Sequence, residues 1–244
     1  MTTFLLFYPL TRVLPKELLI GFGMLAFLPT TIASATAFTA ISKGNVANSI
    51  VSSVLSNLLA IFLVPAVSVI YFRLEFSVQV PLGKVLLGLI CLLLAPVLFG
   101  QIIQMLFKLD TDTVTKFARQ TSAGIILFIV YLAFAKSINS EISETLSIGL
   151  LIVTIFATVF LLLVTSLLAW TSTKWLKLDA PQRRAAFYCA SQKSLATGLP
   201  LISSVLLAVP EMQNIAIVLI PLLCFHPLQM LLAGIVAPHL EQIN

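Results

Sequence analysis

The chain has 244 residues, of which 59% are hydrophobic and 9% charged, with a formal net charge of +5 and a mean hydropathy of +1.10. So apolar a composition lies outside the soluble range, and the apolar runs reach the roughly 20 residues needed to cross a bilayer. The 14 Lys and Arg residues sit between those runs instead of forming one patch, which removes nucleic acid as a partner and leaves the lipid bilayer as the environment.

Taken in chain order, the start is unusual. Phe4 to Tyr8 is apolar yet too short to span and lacks the basic flank of a signal peptide, so it reads as the tail of a helix. Charged and Pro/Gly punctuation then divides the chain into seven spans, at residues 17–41, 46–71, 81–107, 118–136, 145–172, 183–208 and 212–238, all helices by length.

The first span is broken in its middle by Pro29, Thr30 and Thr31, followed by Ser34. Pro29 removes a backbone donor, and the three hydroxyls offer oxygen ligands to a hard cation or donors to a carboxylate. The second span carries Asn45, Ser49, Ser52, Ser53, Ser56 and Asn57, with Ser49, Ser53 and Ser56 on one helical face. That stripe either lines a polar site beside the break or is a small-residue packing seam, and the spacing is the same for both. Gln101 and Gln104, near the end of the third span, read as interfacial. Cys91, Cys189 and Cys224 all lie in apolar segments without a CxxC or Cys/His spacing, so neither a disulfide nor a metal centre is indicated.

The sixth span is broken by Ser191, Gln192, Lys193 and Ser194, with Gly198 and Pro200 following. Lys193 lies about ten residues into the span, near the bilayer midplane, where an ammonium costs at least roughly 2.5 kcal/mol on insertion scales. In one reading it offsets the negative C-terminal carbonyls of two crossing half-helices or holds an anionic solute. In the other it hydrogen-bonds backbone freed by the break and stabilises the crossing. Gly198 and Pro200 supply the backbone freedom and the lost donor that a break requires. In the last span, His226 precedes Pro227 and reads as a packed histidine, while His239 is an exposed terminal one.

Lys and Arg counts orient the spans. Connections after spans one, three and five hold Lys43, Lys108, Lys116, Arg119, Lys174, Lys177, Arg183 and Arg184, against Arg12, Lys16, Arg73, Lys84 and Lys136 on the opposite side. The first set and the C-terminus are thereby placed in the cytoplasm, and the protein in the cell (inner) membrane. All nine acidic residues fall at span ends or in connections, which disfavours cation/proton exchange at a buried carboxylate. There is no GxxxxGK[ST] loop, HExxH pair or GxSxG elbow, so ATP-driven transport and the common hydrolases lack their chemistry. An enzyme is not expected, nor a cofactor beyond a sodium ion.

A pair of mid-depth breaks is the usual trace of a secondary transporter built from inverted repeats. The fold expected is an all-α, multi-pass membrane protein with two crossing discontinuous helices and a single membrane domain. Residues 1–71 then close a first repeat and residues 81–238 form the second. Matching the two breaks leaves roughly three helices missing from the first repeat, as in an N-terminally truncated chain.

The run from Leu28 to Ser34, with Lys43, Gly44, Asn45, Ser49 and Ser53 after it, resembles the first crossover and next helix of the bile acid:sodium symporter superfamily. The run from Phe187 to Ala196, with Gly198 and Pro200, is similar to the second crossover of its SBF-like (sodium/bile acid cotransporter 7-like) branch. The resemblance covers nearly the whole chain. It implies ten helices, a core domain moving against a panel domain, and sodium-coupled uptake of organic anions. Candidate substrate- and ion-binding residues are Pro29, Thr30, Thr31, Ser34, Ser49, Ser53, Ser191, Gln192, Lys193, Gly198 and Pro200, with sodium near Ser34, Ser49 and Ser53.

Two departures weigh against unaltered sodium coupling. Ala35 stands where the superfamily has an Asn, and Tyr188 stands where symporters have a Glu, while Lys193 replaces an Asn. A fixed ammonium in place of one bound cation accounts for the last change. Two other function classes compete: a non-transporting regulator or partner of another membrane protein, and a retinal-binding seven-helix protein using Lys193 as Schiff base. For the second, Lys193 lies in the sixth span and not the last, and no membrane carboxylate is available as counter-ion.

Overall fold

A computed structural model describes residues 14–76, 95–107, 148–207 and 215–242, with isolated positions between 83 and 131. Among the described residues every regular element is helical. They are α1 (Lys16–Phe27), α2 (Ile32–Ile41), α3 (Val46–Phe76), α4 (Ala95–Phe107), α5 (Ile148–Trp175), α6 (Ala180–Ser191), α7 (Leu195–Leu207) and α8 (Ile215–Gln242). In hydrocarbon a helix is the natural choice, because it satisfies its own backbone groups.

Three of these, α3, α5 and α8, are long and apolar enough to cross a membrane, and α1 with α2 makes a fourth candidate, bent by 60° at its break. The first predicted span is thus two half-helices. Pro29 explains the stop: the residue before a proline is pushed out of helical geometry, and Leu28 is extended at φ −66, ψ 145. Thr31 is likewise extended, at φ −83, ψ 133, before α2 begins.

The predicted span at 183–208 is also two helices, α6 and α7, separated at Gln192, which is extended at φ −95, ψ 148. Its start is corrected to Ala180. The Asp179 carboxylate accepts from the Gln182 N–H at 2.9 Å and Pro181 occupies the first turn, a capping arrangement that begins the helix among polar residues. Similarly α3, α5 and α8 continue past the predicted ends at 71, 172 and 238 to Phe76, Trp175 and Gln242. Backbone hydrogen bonding does not stop where apolarity does. Of the predicted span 81–107 only α4 and isolated positions are described, and the span 118–136 lies outside the described residues apart from isolated positions.

The chain divides into two compact units. One contains α1, α2, α3 as far as Ala60, α5, α6, the first turn of α7 to Gly198, and α8 from Ile217. The other contains the rest of α3, α4, and α7 from Leu199.

In the first unit α1 and α8 approach closely: a Cβ on Gly21 would lie 2.3 Å from the Val218 carbonyl oxygen. Only glycine fits that position. Helix α5 exposes Ile152, Ile155, Phe156, Phe160, Leu163 and Leu167 while burying Thr154, Thr158, Ser166 and Thr173. The hydroxyls of Thr154 and Thr158 donate to carbonyls one turn back, at 2.8 and 2.7 Å. An apolar exterior with small polar residues inside is the arrangement expected of a helix facing lipid.

One end of this unit is tied together by side chains the charge count assigned to topology alone. Arg184 is 7% exposed, and its guanidinium donates to the Lys43 carbonyl at 3.1 Å and the Glu241 carbonyl at 3.4 Å. Lys43 pairs with Glu241 at 2.6 Å, and the Asn45 N–H donates to the Pro181 carbonyl at 2.9 Å. The ends of α2 and α8 and the start of α6 are thereby fixed to one another.

Candidate functional site

Two helix breaks leave unpaired backbone groups, and these find each other. The Ser194 N–H donates to the Pro29 carbonyl at 2.9 Å, joining the second break to the first. The Lys193 ammonium then crosses to α1, donating to the carbonyls of Ala26 at 3.1 Å and Leu28 at 3.0 Å. These are the C-terminal carbonyls of α1, which carry its negative dipole end and have no helical donor of their own. Both sequence readings of Lys193 therefore meet in one contact: it satisfies freed backbone, and that backbone belongs to the other broken helix.

Lys193 is held by an amide on α8 that sequence reasoning missed. Gln229, 2% exposed, accepts from the Lys193 N–H through Oε1 at 2.7 Å and donates to the Lys193 carbonyl through Nε2 at 2.7 Å. Its Nε2 also reaches His226 Nδ1 at 2.9 Å, which gives that histidine a partner one turn away. One side chain thus replaces both backbone bonds that Lys193 loses at the break. The available signal was an amide inside an apolar run, the same logic that singled out Lys193.

Around this centre the other candidates divide. The Ser34 hydroxyl donates to Gln192 Oε1 at 2.8 Å, linking α2 to the second break. Thr30 is fixed by its backbone: its N–H donates to Ser56 Oγ at 3.3 Å and its carbonyl accepts from Asn57 Nδ2 at 2.8 Å. Ser56 and Asn57 are the part of the α3 stripe that reaches the break. Ser49 and Ser53, both fully buried, meet Cys189 Sγ at 3.4 and 3.5 Å. They form a small-residue seam between α3 and α6. Thr31 is the extended residue preceding α2, without a side-chain cap bond, and Ser191 ends α6.

Gly198 and Pro200 do not make the break; they lie inside α7, beyond it. Gly198 instead provides room, since a Cβ there would meet Leu28 Cδ1 at 2.6 Å. Pro200 belongs to the other unit.

The hydroxyls expected near sodium have protein neighbours. Ser34 is engaged with Gln192, while Ser49 and Ser53 are engaged with Cys189. Ala35 is fully buried in an apolar cluster with Phe187 and Tyr188. Tyr188 stacks on Phe38 at 5.9 Å between centroids, with its hydroxyl 2.8 Å from Ser42 Oγ. An aromatic ring and a methyl group thus stand where the resemblance implies a carboxylate and an amide. Gln192 Nε2 and Ser166 Oγ are among six buried side-chain polar atoms with no protein partner among the described residues, as is Thr30 Oγ1. Gln192 and Ser166 line one cavity of about 10 Å³ with Ser191 and Gln229, room for roughly one water.

Residues 2–242 match the family model described as the SBF-like CPA transporter family. The chain is 28% identical over 235 residues to the uncharacterized protein PA2026 of Pseudomonas aeruginosa, covering 93% of this chain and 67% of that one. It is 26% identical over 225 residues to sodium/bile acid cotransporter 7 of Danio rerio, covering 92% and 66%. With sodium/bile acid cotransporter 7-A of Xenopus laevis the identity is 25% over 226 residues, covering 92% and 64%. The chain thus spans about two thirds of the length of the curated relatives it matches.

Proposed function

The chain belongs to the SBF-like CPA transporter family, and from that premise we propose that it is a secondary active transporter of the bile acid:sodium symporter type. It moves a small organic anion by alternating access, with the paired breaks as the place where solute and coupling ion act. The observation that carries this reading is the link between breaks: the Ser194 N–H on the Pro29 carbonyl, with the Lys193 ammonium on Ala26 and Leu28. Unpaired backbone at membrane depth is tolerated where it is buried in protein or lines a cavity, and two joined breaks are what a transport site uses.

On this reading α1–α2 and α6–α7 are corresponding members of two inverted repeats, within residues 1–71 and 81–238. The C-terminus faces the cytoplasm of the cell (inner) membrane. Lys193 stands in for one bound cation: it supplies fixed positive charge at the C-terminal end of α1, while Ala35 and Tyr188 bring no amide or carboxylate side chain. Solute charge is then balanced in part by the protein itself, and demand for external sodium is reduced.

The test is uptake of labelled organic anions into proteoliposomes containing the protein, with sodium and with a bulky organic cation. Lys193→Ala should either lower uptake at least about tenfold or make it newly sodium-dependent. Unchanged uptake with unchanged ion dependence overturns the assignment of Lys193.

A further inference from the structure

Lys193 has three N–H donors. Two are engaged by the carbonyls of Ala26 and Leu28, and the third meets no protein acceptor among the described residues. The α1 dipole offsets only about half a unit charge. Among the described residues no carboxylate meets this ammonium to balance the remainder. A cation in a low-dielectric interior without a counter-charge is costly, and buried charges are normally paired.

Beside this ammonium lies a cavity of about 60 Å³ bordered by Leu25, Ala26, Leu161, Thr165, Lys193 and Phe225. Pockets for organic ligands run roughly 300–1,000 Å³; this one admits an ion and a water or two. Its polar features are few: the Lys193 ammonium and the Thr165 hydroxyl, which donates to the carbonyls of Leu161 at 2.8 Å and Leu162 at 3.1 Å. Leu25 and Phe225, each 1% exposed, close it with apolar surface. Such walls suit a weakly hydrated monovalent anion better than a multivalent one.

We propose that this cavity is a resident site for a small monovalent inorganic anion of the halide type, held by the third donor of Lys193 and serving as its counter-ion. The site deepens the reading of Lys193 given above, because a positive charge balanced by a resident anion is no longer free to replace a coupling cation when the anion is bound. Halide then acts on transport as a regulator and not as cargo.

The test is thermal unfolding of the protein in lipid nanodiscs, with sodium chloride or bromide exchanged for sodium gluconate at constant ionic strength. The unaltered chain should show a saturable rise in midpoint of at least ~2 °C with either halide. The rise should be lost in Leu161→Trp, which fills the cavity and leaves the ammonium in place, and in Lys193→Met. Absence of a shift in the unaltered chain, or a shift that persists in Leu161→Trp, overturns the proposal. Should those variants fail to fold, anomalous scattering from bromide in crystals of the unaltered chain decides: a peak beside Lys193 Nζ supports the site and an empty cavity refutes it. Uptake by Lys193→Ala reads a different quantity, so the transport reading and the halide site fail separately.

Discussion

Gln229 carries a burden out of proportion to its size, because among the described residues it alone meets both the N–H and the carbonyl of Lys193. Replacing it by Leu leaves two buried peptide groups unsatisfied, at about 1–3 kcal/mol each. Gln229→Leu should therefore lower the unfolding midpoint measured in detergent, with Gln229→Glu, which keeps an acceptor and loses the donor, falling between. Equal midpoints for all three would show that water or another group takes over the contacts. At this scale the sequence was readable where a residue conflicts with its surroundings. Lys193 announces itself by charge, and Pro29 by its missing donor. Tyr188 stands out only against the resembling family and Cys189 not at all, since an aromatic ring and a thiol are at home in an apolar run, and only the fold shows them pressed against Ser42, Ser49 and Ser53.

Among elements, the α1–α8 contact is the most sharply defined by sterics. A methyl group at Gly21 would collide with backbone, the Val218 carbonyl, and not with a side chain free to move. Gly21→Ala should destabilise the protein by about 1–3 kcal/mol through forced separation of the helices. Gly100→Ala is the control: its added methyl meets nothing within 4 Å, and its unfolding midpoint should not fall. Because Ala is the better helix former, propensity alone would raise both midpoints, and a Gly21→Ala midpoint that does not fall below that of Gly100→Ala would refute the packing account. Apolar run length revealed the existence of α3, α5 and α8, and polar interruptions revealed the two breaks. Their ends were less legible, because hydropathy marks where lipid stops and not where the helix does. The Asp179–Pro181 start of α6 shows this, as capping chemistry sets the boundary three residues before the hydrophobic one. Gly198 was misread for a related reason: a glycine near a break looks like its cause, whereas here it clears space for Leu28.

At the scale of the whole molecule, membership of a transporter family and the apolar helices make this an integral membrane protein. The lock between Lys43, Arg184 and Glu241 holds the ends of α2 and α8 and the start of α6 together. With Cys91, Cys189 and Cys224 replaced by Ser, single cysteines introduced at Lys177 and Gln242 should therefore react with an impermeant maleimide from the same side, and from the cytoplasmic one if the charge rule sets orientation. Labelling from opposite sides would break the topology. Orientation could be argued from sequence because Lys and Arg counts are additive along the chain. The lock could not, because it joins residues about 57 and 141 positions apart, and no local pattern encodes such a meeting.

The amide of Ser194 resting on the carbonyl of Pro29 also has a mechanical meaning. Four half-helix ends are riveted at one point, so α1, α2, α6 and the first turn of α7 cannot slide past one another without shearing that rivet and dragging Lys193 off its perch. A working stroke that preserves it must carry these pieces as a single carriage.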